Sequence, residues 1–231
     1  MQSAYESMAD IAVAKLIGSH KHRIIIAIAG VPGSGKTTIA GRVALEINGR
    51  ADREVAKAVG MDGYHLTRAQ LSAMDDPVIA HERRGAPFTF NATGVVQLVK
   101  DIIQSGERQV DMTAPSFDHN VKDPVENGIF IGRQVRIVLL EGLYLLLKDE
   151  PWCEISKLVE DKWLVHVTPE IARVRLAERH LKAGIVDTIE QGYARADGND
   201  AANGKYIEEN SLKADMEIFS QEDKHRAKRR K

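Results

Sequence analysis

A lysine placed to meet phosphate is the first chemistry legible in the chain. Gly30-Val31-Pro32-Gly33-Ser34-Gly35-Lys36-Thr37 fits the pattern G-x-x-x-x-G-K-[ST] without a mismatch. An apolar, β-branched run from Ile24 to Ala29 precedes it and a helix-like segment from Thr38 to Ile47 follows, giving strand, loop and helix in the order a phosphate cradle needs. Glycines let successive backbone N–H groups turn inward around phosphate oxygens, and the helix start adds a partial positive charge. The expectation is that Gly30, Val31, Pro32, Gly33, Ser34, Gly35, Lys36, Thr37 and Thr38 hold a nucleoside triphosphate, taken as ATP. Lys36 would reach the β and γ phosphates and the Thr37 hydroxyl would ligate Mg²⁺.

Two carboxylates stand at comparable points. Asp62 follows a second apolar run, Val55 to Met61, and Glu141 closes a third, Val135 to Leu140. Phosphoryl transfer needs a group that orients the acceptor hydroxyl and a metal site, so Asp62 is the candidate general base and Glu141 the candidate acid that holds Mg²⁺ through a water. Asp62-Gly63 also suits a plain turn, and Glu141 also suits a strand-end cap. Arg175 and Arg179 are four apart and share one helix face, from which they could close over phosphates; the alternative is a solvated face paired with Glu178. His65, Arg83, Arg84, Asp118 and His119 are the polar groups that could face an acceptor, although loops are normally polar.

The elements needed to position these groups follow from pattern. Ala4 to Ile17 reads as a leading helix. Residues 64–92 are too long and too charged for a plain connection and read as an insertion, with Thr67 capping a short helix through Ala73. Asn91 or Thr93 opens an amphipathic helix with Val95, Leu98, Val99, Ile102 and Ile103 on one face, ending at Gly106. Val110 to Ala114 is a short strand, and Pro124 to Gly132 a turn or hairpin. Leu164 to Val167 is a strand, Glu170 to Lys182 and Thr188 to Arg195 are helices, Asn199 to Asn210 is mixed, and Ala214 to Ile218 is a last strand. Alternating strands and helices predict an α/β doubly wound, mostly parallel sheet, with ligands outside the carboxyl ends of its strands.

Bulk properties bound the function. The 231 residues are 43% hydrophobic and 28% charged, which suits one domain over 1–220 with an insertion at 64–92, a lid at 169–195 and a basic tail at 221–231. Lys224 to Lys231 holds six Lys/Arg, and removing those charges takes the remainder from a net −1 to −7, so nucleic-acid binding by the folded body is not expected. The tail reads as a solvated end. One cysteine, Cys153, excludes a disulfide framework, and no stretch approaches a membrane span or a signal peptide, which predicts a cytoplasmic protein. A homodimer is left open. No N-K-x-D guanine-reading motif occurs, which disfavours a GTPase switch. An ATPase driving a protein partner is the alternative to a kinase with a small-molecule acceptor.

Taken in order, Gly30 to Thr37, Met61-Asp62-Gly63-Tyr64-His65, Arg83-Arg84-Gly85-Ala86-Pro87, Leu140-Glu141-Gly142-Leu143-Tyr144 and the Arg-rich helix resemble the phosphoribulokinase, uridine kinase and pantothenate kinase family of P-loop kinases. The resemblance runs from about Ile24 to Ile218 and looks closest to a uridine-kinase-like fungal and bacterial branch that includes sugar kinases. It implies the P-loop NTPase fold and transfer of the γ-phosphoryl group of ATP, with Mg²⁺, to a hydroxyl of a sugar, sugar acid, pantothenate or nucleoside. It implies Asp62 as the catalytic aspartate, Glu141 as the acid of the Walker B strand, and Arg175 and Arg179 as lid arginines. Asn199, Asp200 and Asn203 resemble an Asn-rich segment near the acceptor site of pantothenate kinases. The chain departs from uridine kinases in having Asp-Gly-Tyr-His at Asp62 and no evident uracil pocket.

Overall fold

The computed structural model describes residues 2–118 and 121–221, so His119 and residues 222–231 of the basic tail lie outside the described residues. In chain order the elements are α1 (Gln2–Gly18), β1 (Ile24–Gly30), α2 (Lys36–Ala51), β2 (Ala56–Gly60), α3 (Arg68–Ser72), α4 (Pro77–Glu82), α5 (Ala92–Arg108), β3 (Met112–Asp118) and β4 (Asp123–Ile131). They continue with β5 (Ile137–Gly142), α6 (Ile155–Leu158), β6 (Asp161–His166), α7 (Pro169–Lys182), α8 (Ile189–Arg195), α9 (Ala201–Asn210) and β7 (Met216–Phe219).

Five strands form one parallel sheet in the order β2-β5-β1-β6-β7. β1 is the middle strand and every one of its residues is buried, which is why it reads as an unbroken apolar run rather than an alternation. Successive side chains go to opposite faces. Ile25, Ala27 and Ala29 join the core that α5 covers, while Ile24, Ile26 and Ile28 join the core covered by α1 and α2. Burial of the four β1 isoleucines is worth roughly 1.5–3 kcal/mol each. The connection leaving β1 runs to β2 on one side and that leaving β5 runs to β6 on the other, so a crevice opens at the carboxyl ends of these two neighbours.

The start of β1 is fixed by a buried cation. Arg23 is 1% exposed and donates through Nε to the Val135 carbonyl at 2.8 Å, through Nη1 to Ser105 Oγ at 2.7 Å, and through Nη2 to the Gly132 carbonyl at 2.9 Å. These bonds tie β1 to α5 and to the loop entering β5.

Several expected elements stand where pattern placed them. Thr67 caps α3 with a capping box, Asn91 caps α5 by accepting from the Gly94 N–H, and Thr188 caps α8. Others differ. α5 runs past Gly106 to Arg108 because Gln109 adopts a left-handed conformation, φ 53°, that closes it. β3 begins at Met112 and extends to Asp118, and the Pro124 to Gly132 stretch is its antiparallel partner β4 rather than a self-contained hairpin. Asn199 to Asn210 is helical throughout: a π turn, Ala196–Asp200, runs into α9, with burial of Asn203, Gly204 and Ile207 outweighing weak local propensity. Among the described residues no helix is long and apolar enough to cross a membrane.

Arg23→Met removes three hydrogen bonds of a charged donor from a closed site. It should cost about 3 kcal/mol, lowering the melting temperature by roughly 10 °C, as read by thermal denaturation. An unchanged melting temperature would show that these bonds do not anchor β1.

Candidate active site

Register places the candidate chemistry at one edge of the sheet. Glu141 pairs with Ile28 of β1 on one side and Gly60 of β2 on the other, so β1, β5 and β2 end together. Beyond β1 lies the glycine loop, and beyond β2 a 3-10 turn, Met61–Tyr64, that carries Asp62. Asp62 therefore stands just past its strand rather than at its last residue. Two strand spacings separate β2 from β1, roughly 10 Å, and Asp62 lies near enough to the loop for its charge to act on Lys36.

The loop has the conformation that a phosphate cradle needs. Gly33 and Gly35 have φ of 77° and 94°, a region that L side chains disfavour, and a Cβ on Gly33 would lie 2.9 Å from the Ala172 carbonyl. Ser34 is fully buried and its hydroxyl has no partner among the described residues. An orphaned buried hydroxyl in a glycine loop is a donor in want of an acceptor. Lys36 is 7% exposed, and its Nζ donates to the Val31 carbonyl at 3.2 Å. Burial lowers its pKa to about 8, with Glu141 and then Asp62 opposing that shift and Arg179 adding to it.

Thr37 Oγ1 donates to Glu141 Oε1 at 3.0 Å, which brings the two candidate metal groups into contact. Burial holds the Glu141 carboxyl above the usual carboxylate range, the Asp62 charge adds to this, and Lys36, the Thr37 hydroxyl and Arg179 oppose it. Lys36, Glu141, Asp62 and Arg179 thus act on one another as a single electrostatic cluster. No group of three or more His, Cys, Asp or Glu side chains suited to a metal occurs among the described residues. One carboxylate and one hydroxyl suit Mg²⁺, which keeps most of its shell as water and phosphate oxygen. The site fits that ion.

The two α7 arginines differ. Arg175 Nη1 donates to the Gly33 carbonyl at 3.3 Å and to Ser220 Oγ at 2.9 Å, and Nη2 to the Gln221 carbonyl at 2.9 Å. It ties α7 to the glycine loop and to the end of β7. Arg179, one turn on, is exposed and acts on the cluster through its charge.

Asp62 is held by its surroundings. Its carbonyl accepts from His65 Nδ1 at 2.8 Å, and the His65 ring packs on Phe90 and Phe117 with centroids 4.0 and 4.8 Å away. A Cβ on Gly63 would lie 2.2 Å from the Pro115 carbonyl, so β3 presses directly on the turn. A Cβ on Gly142 would lie 2.1 Å from the Met61 side chain. These two glycines, with Phe90 and Phe117, are positioning residues that sequence reasoning missed. Only the spacing of Gly63 and Gly142 beside the two acids hinted at them.

Of the remaining acceptor candidates, Arg83, Asn199 and Asn203 meet. Arg83 Nε donates to Asn199 Oδ1 at 2.8 Å and Nη2 to Asn203 Oδ1 at 3.3 Å. Arg84 turns away, pairing with Asp123 at 2.9 Å, donating to the Leu66 carbonyl and lying over the Phe117 ring. Asp118 sits at the tip of the β3–β4 ribbon, where Oδ1 accepts from the Val121 N–H at 3.3 Å. Tyr144, also missed, donates to the Gly85 carbonyl.

Known proteins share this fold. None of the protein-family profiles searched matches the chain. A protein of Schizosaccharomyces pombe named as a candidate uridine kinase, C227.14, is 37% identical over 214 residues, covering 93% of this chain and 89% of its own. The crystal structure of a candidate fructose transport system kinase from Silicibacter sp. TM1040 superposes with a TM-score of 0.79 at 28% identity, covering 92% of this chain and 98% of that one. YFH7 from Saccharomyces cerevisiae, described as a candidate P-loop containing kinase with a circular permutation, has the same fold with a TM-score of 0.83 at 24% identity, covering 95% and 99%. The glycine loop, the parallel sheet and these likenesses agree: the chain belongs to the uridine-kinase-like family of P-loop kinases.

Proposed function

We propose that the protein transfers the γ-phosphoryl group of ATP to a hydroxyl of a small metabolite. The observation that supports this reading is that a buried Lys36 and the hydrogen-bonded Thr37–Glu141 pair lie within electrostatic reach of Asp62, beyond three strands paired in register.

Each group has a role set by its chemistry. The loop N–H groups, the Ser34 hydroxyl and Lys36 bind the triphosphate and draw charge toward the oxygen that leaves. Thr37 and Glu141 would hold Mg²⁺, Thr37 directly and Glu141 through water. When bound, that ion neutralises charge on the β and γ phosphates. Asp62 accepts the proton of the acceptor hydroxyl and aims its oxygen along the line of transfer. Arg179 approaches from α7 as charge develops, while Arg175 holds that helix to the loop. His65, Phe90 and Phe117 keep water from the crevice.

Asp62→Asn keeps the shape of the turn and removes the base. It should lower kcat by about 10²–10⁴-fold with the KM for ATP nearly unchanged, in an assay coupled to ADP release. Retention of full transfer would remove Asp62 from the mechanism.

Phosphate binding should also move a proton. Lys36 in the free protein has a pKa of about 8. A bound triphosphate favours the charged amine, so binding above that pH must draw a proton from solvent. Calorimetric titration with preformed MgATP at pH 9, in two buffers of different ionisation enthalpy, should show uptake approaching one proton. Near pH 6.5, where Lys36 is already charged, the Lys36 contribution should vanish, and Lys36→Met should remove it at pH 9. Equal uptake in that variant would mean another group is responsible.

A further inference from the structure

We propose, on the reading of the chain as a small-metabolite kinase, that the acceptor is an anionic alcohol, carrying a carboxylate or a phosphate, and that Arg83 reads its charge.

Arg83 lacks a counter-charge in contact among the described residues. Its hydrogen-bond partners are the side-chain carbonyls of Asn199 and Asn203, both neutral, and no carboxylate forms an ion pair with it among the described residues. The contrast with its neighbours is direct. Arg84 is paired with Asp123, and Arg173 with Asp197 at 2.6 Å. The nearby acid Asp200 receives His180 Nε2 at 2.7 Å.

A half-buried guanidinium held by amides keeps its full positive field, because an amide oxygen orients it without cancelling its charge. Two of its five N–H donors are spent on the amides, and the others make no hydrogen bond among the described residues. A planar fork with donors to spare is the geometry that takes a carboxylate or phosphate with two parallel bonds.

The clamp is built deliberately. Asn199 Nδ2 donates to the Arg84 carbonyl at 3.0 Å, which fixes the amide so that its oxygen, not its nitrogen, faces Arg83. The π turn brings Asn199 into the helix that continues as α9, so Asn199 and Asn203, four apart, share a face and straddle the guanidinium. The backbone of Gly85, with φ of 107°, lies against both amides.

Arg83 also stands near the end of β5: the phenol of Tyr144, three residues past Glu141, donates to the Gly85 carbonyl, and Gly85 lies against the two amides that hold Arg83. The Tyr144 phenol is held above its usual range first by burial; Arg83 opposes that shift, and Asp62 is among the charges that add to it. One phenol therefore senses both residues. Lys36 and Arg179 have the charges of Glu141 and Asp62 acting against theirs, whereas Arg83 has no carboxylate in an ion pair among the described residues. An acceptor with its hydroxyl at Asp62 and an oxyanion at Arg83 satisfies both ends.

The test uses the whole chain, saturating MgATP and an ADP-release assay with three matched arms of three to six carbons: neutral polyols and sugars, the corresponding hydroxy acids, and the sugar monophosphates. Turnover confined to the acid or the phosphate arm is expected, and the arm that responds identifies the oxyanion. Arg83→Gln should raise KM for that acceptor about 100-fold or more, leaving the KM for ATP unchanged. Asn199→Asp retains the arginine but gives it a counter-charge, and should weaken the same preference by tenfold or more. This second variant keeps the question decidable if Arg83→Gln does not fold.

Neutral acceptors used as well as their anionic partners, or an anionic preference untouched by both variants, would overturn this inference while leaving the kinase reading intact. Turnover with no member of any arm would overturn the kinase reading and this inference with it.

Discussion

A buried ammonium with no counter-ion in contact among the described residues is the constraint around which this protein is arranged. Lys36 is almost fully enclosed, and the hydrogen bond seen from its Nζ goes to a backbone carbonyl of its own loop. Such a placement costs stability by itself, since desolvating a charge is expensive. It is tolerable because Glu141 and Asp62 supply negative potential from two neighbouring strand ends, and useful because a polyphosphate can supply more. The strained glycines and the unpartnered Ser34 hydroxyl belong to the same bargain. Local rules are broken where a ligand is meant to repair them.

Parallel pairing converts that local feature into a site. Because β2, β5 and β1 are in register, residues far apart in sequence end at one level, and a slip of one residue would turn Glu141 away from the Thr37 hydroxyl. Close packing then removes remaining freedom. The Pro115 carbonyl presses on Gly63 and the Met61 side chain on Gly142, so the turn holding Asp62 has contacts on both sides. Arg175 performs the corresponding task for α7, joining it to the Gly33 carbonyl and to the residues that follow β7.

What could be read from sequence was what depends on local chemistry. The glycine loop, the acids closing the second and third apolar runs, and the caps at Thr67 and Asn91 each follow from a few adjacent residues. The face of α5 was legible for the same reason, since Val95, Leu98, Val99 and Ile102 repeat with the helix and are all buried. Features set by partners distant in the chain were not. The pairing of β3 with β4 depends on partners 5 to 19 positions apart, and the π turn that seats Asn199 and the division of labour between Arg83 and Arg84 depend on contacts that reach across 38 to 120 positions. Asn199 to Asn210 was hardest because Asn and Gly are weak helix formers; burial against the core, which no local pattern states, decides the helix.

The central claim is geometric: a triphosphate in the glycine loop points its last phosphorus at Asp62, with space for one hydroxyl between. A crystal structure of the chain with Mg²⁺ and a non-hydrolysable ATP analogue measures this directly. The account predicts the γ-phosphorus roughly 6 Å from the nearer Asp62 carboxylate oxygen, the sum of one hydrogen bond and one near-attack contact, with Lys36 on the γ-phosphate. A γ-phosphorus more than about 10 Å from Asp62, or on the far side of the loop from it, would contradict the account.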